Sequence, residues 1–183
     1  MDTRRPIDRL NFRELLTAAG SSRVFVTLEW NPMTLPILNA NGDLPPGVHL
    51  STLKELETRF GASNTIRILM FQRLERIFAV AKRTGHLGRF VIYGSFVTDK
   101  IDPNDVDVFM VFDDDFDASQ ADPEARLLLD HATADAHFGA RVFWLRRPAA
   151  FGGEQAKIEF WQTKRDGGIR GIVEIGDFEH DQK

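Results

Sequence analysis

The sequence contains no cysteine. This absence excludes disulfide bonds, zinc–thiolate sites and a cysteine nucleophile, so any bound metal ion needs oxygen or histidine ligands. The chain also lacks a run approaching the roughly 20 apolar residues of a membrane-spanning helix, and it has no apolar segment of the signal-peptide type near Met1. We therefore expect a soluble, cytoplasmic protein with no membrane partner.

An excess of positive charge is absent too. The chain has 23 Lys and Arg residues against 27 Asp and Glu residues, a net charge of −4. Because non-specific affinity for nucleic acid scales with the number of neutralised phosphates, we expect no broad nucleic-acid binding. The length of 183 residues and the 43% hydrophobic content suit one domain. We place this domain in residues 39–183, after an N-terminal extension (a helix plus a strand) in residues 1–38.

Apolar spacing and turn residues predict an α/β (α+β) fold, with a mixed sheet of four to six strands backed by helices. Helices are predicted at residues 7–20, 51–61, 65–85 and 123–137. Strands are predicted at residues 23–30, 90–93, 106–112 and 141–145. The end of the chain resembles a β-hairpin, with strands at 157–162 and 169–175 around a turn at 166–168.

The helix at residues 65–85 carries four cations away from its apolar stripe. They are Arg67, Arg76, Lys82 and Arg83. We interpret them as a solvated face, with an acceptor or nucleic-acid surface as the alternative.

Two short motifs carry the chemistry of the sequence. Gly94-Ser95 directly follows the strand at 90–93, and Asp105-Val106-Asp107 follows after a spacer of nine residues. Glycine allows a close backbone approach, and exposed N–H groups with a serine hydroxyl can hold phosphate oxygens. Residues two apart on a strand face the same side, so the two carboxylates repel unless a cation such as Mg²⁺ lies between them. The motifs predict a combined phosphate and magnesium site.

This combination resembles the signature of the DNA polymerase beta-type nucleotidyltransferase superfamily: an apolar residue before Gly-Ser, a spacer, then two aspartates alternating with apolar residues. Residues 93–95 and 105–108 match it position for position. Over residues 39–176 the chain is similar to a small bacterial branch of that superfamily, close to the minimal nucleotidyltransferases of toxin–antitoxin systems.

The resemblance implies a polymerase-beta-like fold and a nucleoside triphosphate substrate, with ATP the expected nucleotide. Gly94 and Ser95 would contact the outer phosphates, and Asp105 and Asp107 would hold Mg²⁺. Lys100, in the loop between the motifs, is a further candidate for phosphate contact, with plain exposure to solvent as the alternative. A hydroxyl on a protein, a tRNA or a small molecule would attack the α-phosphate and release pyrophosphate, in a toxin–antitoxin or phage-defence setting.

A third acid is the point at which the chain departs from the superfamily, whose active members place one on a later strand. Arg141 stands where that acid is expected, and a cation there would leave the second metal ion without a site. Glu159 on the predicted hairpin, with Glu174 behind it, is our candidate for the third catalytic carboxylate. The alternative function is a catalytically degenerate nucleotide-binding or partner-binding module. A nucleic-acid binder that uses the cations of residues 65–85 is a third reading, and the net acidity opposes it.

Overall fold

The computed structural model describes residues 34–147 and 153–176. The predicted helix at 7–20 and the predicted strand at 23–30 lie outside the described residues. No helix in the described ranges has both the length and the apolar character needed to cross a membrane.

Five strands of the described chain form one mixed sheet. They are β1 (Val48–Ser51), β2 (Leu87–Tyr93), β3 (Asp107–Phe112), β4 (Arg141–Arg146) and β5 (Ile172–Ile175). Their order is β1-β5-β2-β3-β4. β1 is parallel to β5 and β3 is parallel to β4, whereas β2 is antiparallel to both of its neighbours. The predicted mixed sheet of four to six strands is confirmed.

Helices back the sheet, as predicted. The described residues form α1 (Leu53–Leu56), α2 (Thr65–Arg83), α3 (Pro123–Leu129), α4 (His131–Phe138) and α5 (Gly153–Gln162). Side-chain caps begin the first two, because Thr52 and Asn64 each accept a hydrogen bond from a backbone N–H of the first turn. A π-helical turn continues α1 as far as Gly61. The helices predicted at 51–61 and 65–85 are therefore confirmed, with small differences at their ends.

The interior strand β3, which lies between β2 and β4, is buried along its whole length, and helices cover both faces of the sheet. Val108 and Met110 pack in the larger core, together with residues of α2, α3 and α4. Phe109 packs on the opposite face with Ile158 of α5. Since successive strand residues point to opposite faces, the continuous apolar run of β3 fits a strand that is covered on both sides.

The single helix predicted at 123–137 is wrong, because two helices meet at Asp130. The backbone of Asp130 is extended, with φ −100° and ψ 118°, and its side chain accepts a hydrogen bond from the backbone N–H of Thr133. Aspartate favours this capping geometry over a helix interior. α3 therefore ends where α4 begins.

The predicted terminal hairpin is wrong in its first strand, because residues 157–162 belong to α5. Ile158 and Gln162 are buried, whereas Phe160, midway between them, is 63% exposed. Burial at positions four apart with an exposed residue between them is the helical period, not the strand period of two. The alternation of apolar residues in this short segment is compatible with both periods, which is why the sequence misleads.

The turn and the second strand of that hairpin are present in reduced form. The backbone N–H of Gly167 donates to the Lys164 oxygen, and Thr163 and Ile169 form an isolated antiparallel bridge. The predicted strand at 169–175 shortens to β5, which pairs with β1 and β2 instead of with residues 157–162.

Arg67 does not belong to the solvated face predicted for its helix, since only 3% of it is exposed. Its guanidinium donates to the backbone oxygens of Phe60, Phe96, Thr98 and Lys100. Three of these acceptors lie in the segment that directly follows Gly94-Ser95, so one buried side chain fixes this segment. The other three cations of the face, Arg76, Lys82 and Arg83, are exposed as predicted.

Replacing Arg67 with Met should lower the free energy of unfolding by about 3 kcal/mol, because several buried carbonyl groups lose a charged donor together. The exposed Arg73 lies on the same helix and makes one hydrogen bond, to Gly139. Arg73→Met is therefore the matched control, for which we expect less than about 1 kcal/mol. Urea unfolding of both variants measures the difference, and equal losses would contradict the role assigned to Arg67.

Candidate functional site

The turn at the end of β2 brings the backbone against a carboxylate. Tyr93, the last residue of β2, pairs with Asp107, the first residue of β3. Gly94 is the first residue of a 3-10 turn, Gly94–Val97, and its φ angle is 83°. A Cβ atom on residue 94 would lie 1.9 Å from Oδ2 of Asp107. Glycine is required here both for the left-handed conformation and for the close approach.

Asp105 and Asp107 point to the same side at the start of β3. Their side chains are 20% and 12% exposed, and both approach the guanidinium of Arg141. The distance from Nη2 of Arg141 to Oδ2 of Asp105 is 2.8 Å, and that from Nη1 to Oδ1 of Asp107 is 3.8 Å. The two carboxylates point to the same side, as predicted from their spacing of two residues. The strand β3 begins at Asp107, one residue later than predicted.

Arg141 is held at this position by the sheet. β4 is parallel to β3, and Arg141 lies opposite Asp107 in the register. Its backbone N–H donates to the Val106 oxygen at 2.9 Å. A cation, instead of a third carboxylate, therefore faces the aspartate pair from the neighbouring strand.

An open cleft surrounds the two motifs. It is lined by Gly94, Ser95, Asn104, Asp105, Asp107, Arg141, Lys164, Arg165, Asp166 and Arg170. Four of these side chains are cationic and three are acidic, in a chain whose net charge is −4. Four cations are thus gathered in one cleft, where they can contact an anionic ligand.

One of the cleft cations is committed to a structural contact. Nζ of Lys164 lies 3.0 Å from Oδ2 of the buried Asp43 and donates a hydrogen bond to it. This contact ties the basic turn at residues 164–170 to the loop that precedes β1. Three arginines and three aspartates then make up the other charged side chains of the cleft.

Asp107 has an unusual protonation equilibrium. Burial raises its pKa from 3.8 to about 6, and the negative charge of Asp105 acts in the same direction, while Arg141, Arg170 and Arg165 oppose the rise. Strongly perturbed carboxylates in clefts are typical of functional sites. Burial likewise raises the pKa of Tyr93, which lies next to Asp107 in the sheet.

Three sequence-predicted candidates do not line this cleft. Lys100 is exposed in the loop after the 3-10 turn, and its backbone oxygen accepts from Arg67. Glu159 is exposed on α5, not on a strand. Glu174, the second candidate for the third carboxylate, forms an ion pair with Arg89 at 2.6 Å. The structure therefore brings together Gly94, Ser95 and the two aspartates, but not these three residues.

Sequence reasoning missed the basic side of the cleft. Lys164, Arg165 and Arg170 all line it, and they flank the turn that contains Gly167-Gly168. The available signal was three cations around a glycine turn. Because this turn was predicted to be the turn of a terminal hairpin, its cations were not considered as site residues.

The side chains of the cleft fit one magnesium ion better than two. Asp105 and Asp107 provide the one or two carboxylates that Mg²⁺ takes together with waters and substrate phosphates. Among the described residues, no group of three or more Asp, Glu, His or Cys side chains could hold a metal ion. Asp166 also lines the cleft, but its side chain is 70% exposed and lies 3.9 Å from Lys164. A second carboxylate-bound ion therefore has no ligand set here.

Replacing Gly94 with Ala should destabilise the protein more than the same change at Gly85. Both glycines have positive φ, but a Cβ on Gly85 would meet nothing within 4 Å. The conformational penalty of about 1 kcal/mol is common to both variants, and the clash with Asp107 should add about 2 kcal/mol. Thermal and urea unfolding measure the two losses, and similar values would show that the approach of Gly94 to Asp107 is not tight.

Replacing Asp107 with Asn should stabilise the ligand-free protein at neutral pH. Because the pKa is about 6 in the folded protein and 3.8 in the reference state, the folded state loses stability as pH rises through this window. The shift corresponds to about 2–3 kcal/mol at pH 7.5 and to almost nothing below pH 4. Urea unfolding of both proteins from pH 4 to 8 measures the difference. A constant difference across this range would contradict the raised pKa.

Comparison with known proteins places the chain in a family. One family model, described as a family of unknown function (DUF6932), matches residues 36–176, a range that includes every residue lining the cleft. No curated protein and no solved structure matches the chain significantly. Since the match covers well over half of the sequence, the chain belongs to the family of unknown function DUF6932.

Proposed function

We propose that the protein binds a nucleoside triphosphate in this cleft and transfers its nucleoside monophosphate to a hydroxyl group of an acceptor. ATP is the expected nucleotide, and the acceptor is a protein, a tRNA or a small molecule. This is the activity of the polymerase-beta-type nucleotidyltransferases that the two motifs resemble. A toxin–antitoxin or phage-defence role is the corresponding cellular setting.

The observation that carries the proposal is the meeting of the two motifs in one cationic cleft. Gly94-Ser95 and the pair Asp105 and Asp107 are separated in sequence, and both line it. A glycine turn can present its N–H groups and the Ser95 hydroxyl to phosphate oxygens. The nearby arginines supply the positive charge that a triphosphate requires.

Asp105 and Asp107 would hold a magnesium ion, whose positive charge would help to stabilise the negative charge of the phosphates. The residues of the chain would position the nucleotide. Ser95 and the turn would orient the outer phosphates, and the carboxylate pair, partly neutralised by Arg141, would remain accessible from the open cleft. Positioning and electrostatics, not covalent chemistry, dominate transfers of this kind.

The second candidate is a nucleotide-binding or partner-binding module without turnover. Arg141 favours it, because this cation occupies the position opposite Asp107 where a third carboxylate would activate the acceptor. Glu159, the sequence candidate for that acid, is not among the residues that line the cleft. Both candidates share nucleotide binding and differ only in transfer.

Transfer is tested by incubating the protein with each α-³²P-labelled nucleoside triphosphate and Mg²⁺, alone, with total tRNA and with cell lysate. We expect label on one acceptor class. Asp105→Asn and Asp107→Asn should each reduce the labelling about 100-fold or more, because each removes a charged ligand for the magnesium ion. Asp114→Asn is the control, since Asp114 is exposed in the acidic run after β3 and does not line the cleft.

The outcomes separate the two candidates. Labelling that survives in both cleft variants would contradict the transfer mechanism. Nucleotide binding without labelling under any condition would support the binding module. Neither binding nor labelling would contradict the proposed function as a whole.

A further inference from the structure

We infer that Arg141 and Arg170 form a clamp that binds the phosphates of the ligand directly, so that the cleft holds its anionic ligand without a divalent metal ion. This inference rests on the proposed function, because it concerns the same cleft. It goes further in assigning phosphate recognition to two arginines outside both sequence motifs.

Arg141 has the position and the donors for this role. Its side chain is 45% exposed and lines the cleft, and its closest acidic contact is with Asp105 at 2.8 Å. The distance of 3.8 Å to Asp107 exceeds that of a hydrogen bond. A guanidinium carries five N–H donors in a planar fork, more than these contacts use, and this fork matches the geometry of phosphate oxygens.

Arg170 is the last residue of the basic turn at residues 164–170, and its side chain has a hydrogen-bond donor, Nε, without an acceptor. Its backbone is fixed, since its N–H donates to the Gln162 oxygen and the next residue, Gly171, donates to Leu44. Within the described part of the chain, no atom accepts a hydrogen bond from the buried Nε of Arg170. A buried charged donor without a partner is costly, by about 1–3 kcal/mol or more, and is rarely retained without a reason. A shift of the Arg170 side chain towards the cleft would let an anionic ligand accept from this donor.

The two arginines line the same cleft, together with Gly94 and Asp107. They enter it from different segments, Arg141 from β4 and Arg170 from the residues before β5. A ligand phosphate close to Gly94 and Asp107 would therefore have a guanidinium within reach from each segment.

A purely structural role for Arg141 and Arg170 explains fewer of these observations than the binding of an anion does. Neutralisation of Asp105 and Asp107 explains the contacts of Arg141, but it leaves the buried Nε of Arg170 without an acceptor. It also leaves Arg165 as an additional cation in the same cleft. Recognition of an anion explains the gathering of arginines, the unsatisfied donor and the open access together.

The test is calorimetric titration of the full chain with inorganic tripolyphosphate and with ATP, each in EDTA and in excess Mg²⁺. We expect both ligands to bind wild type in EDTA. Arg141→Met and Arg170→Met should each weaken this binding at least about tenfold, the effect of losing one charge-assisted contact. Arg146→Met is the matched control, since Arg146 is exposed at the far end of the same strand as Arg141 and does not line the cleft. It should bind like wild type.

Arg170→Lys keeps the charge but removes the planar fork, so we expect intermediate affinity in EDTA. Thermal unfolding checks the variants independently. Arg170→Met should not lower the melting temperature of the ligand-free protein, because it removes an unsatisfied buried donor. If Arg170→Met does unfold the protein, the comparison of Arg170→Lys with wild type still decides the point: undiminished affinity in EDTA would overturn the clamp.

Two other results would overturn the inference in distinguishable ways. Binding that requires Mg²⁺ and is equal in wild type and both Met variants would remove the clamp but leave the proposed function standing. Absence of binding with and without Mg²⁺ would remove both.

Discussion

The close approach of a buried carboxylate, Asp107, and a partly buried one, Asp105, is the constraint on which the rest of the site depends. Asp107 lies at the start of the interior strand β3 with its side chain 12% exposed, and Asp105, 20% exposed, lies two residues before it. Two neighbouring negative charges with little exposure to solvent require compensation, and the parallel strand β4 provides it by placing Arg141 opposite Asp107. On the other side the backbone of Gly94 approaches so closely that no side chain fits. The register of β2, β3 and β4 thus sets the distances between the Gly94-Ser95 turn, the two aspartates and Arg141.

Elements outside the sheet hold the remaining parts of the cleft in place. Arg67 fixes the segment after Gly94-Ser95 through hydrogen bonds to backbone oxygens. Lys164 fixes the basic turn through its contact with the buried Asp43. Both are long cationic side chains that satisfy polar groups in segments without regular secondary structure. The cleft therefore combines positions that are far apart in sequence, and its charge distribution appears only in the folded chain.

The sequence was most informative where one residue type satisfies a local physical requirement. The glycine turn, the alternation of Asp105 and Asp107 and the amphipathic α2 follow from such requirements, and the predicted strands of the central sheet agree with β2, β3 and β4. Prediction failed where a local pattern suits two structures, as in residues 157–162, which form α5 instead of a strand. It also failed where tertiary contacts decide, as for the buried Arg67 and for Arg170, whose place in the cleft depends on the path of the chain between α5 and β5.

The central claim is that the phosphates of a nucleotide bind between the Gly94-Ser95 turn and the arginines of the cleft. A crystal structure of the protein with a non-hydrolysable ATP analogue and Mg²⁺ tests this most directly. We expect phosphate oxygens within hydrogen-bond distance of the Ser95 backbone N–H and of the guanidinium groups of Arg141 and Arg170, with the metal ion on Asp105 and Asp107. An analogue bound elsewhere on the protein, with the contact between Arg141 and Asp105 unchanged, would contradict the account.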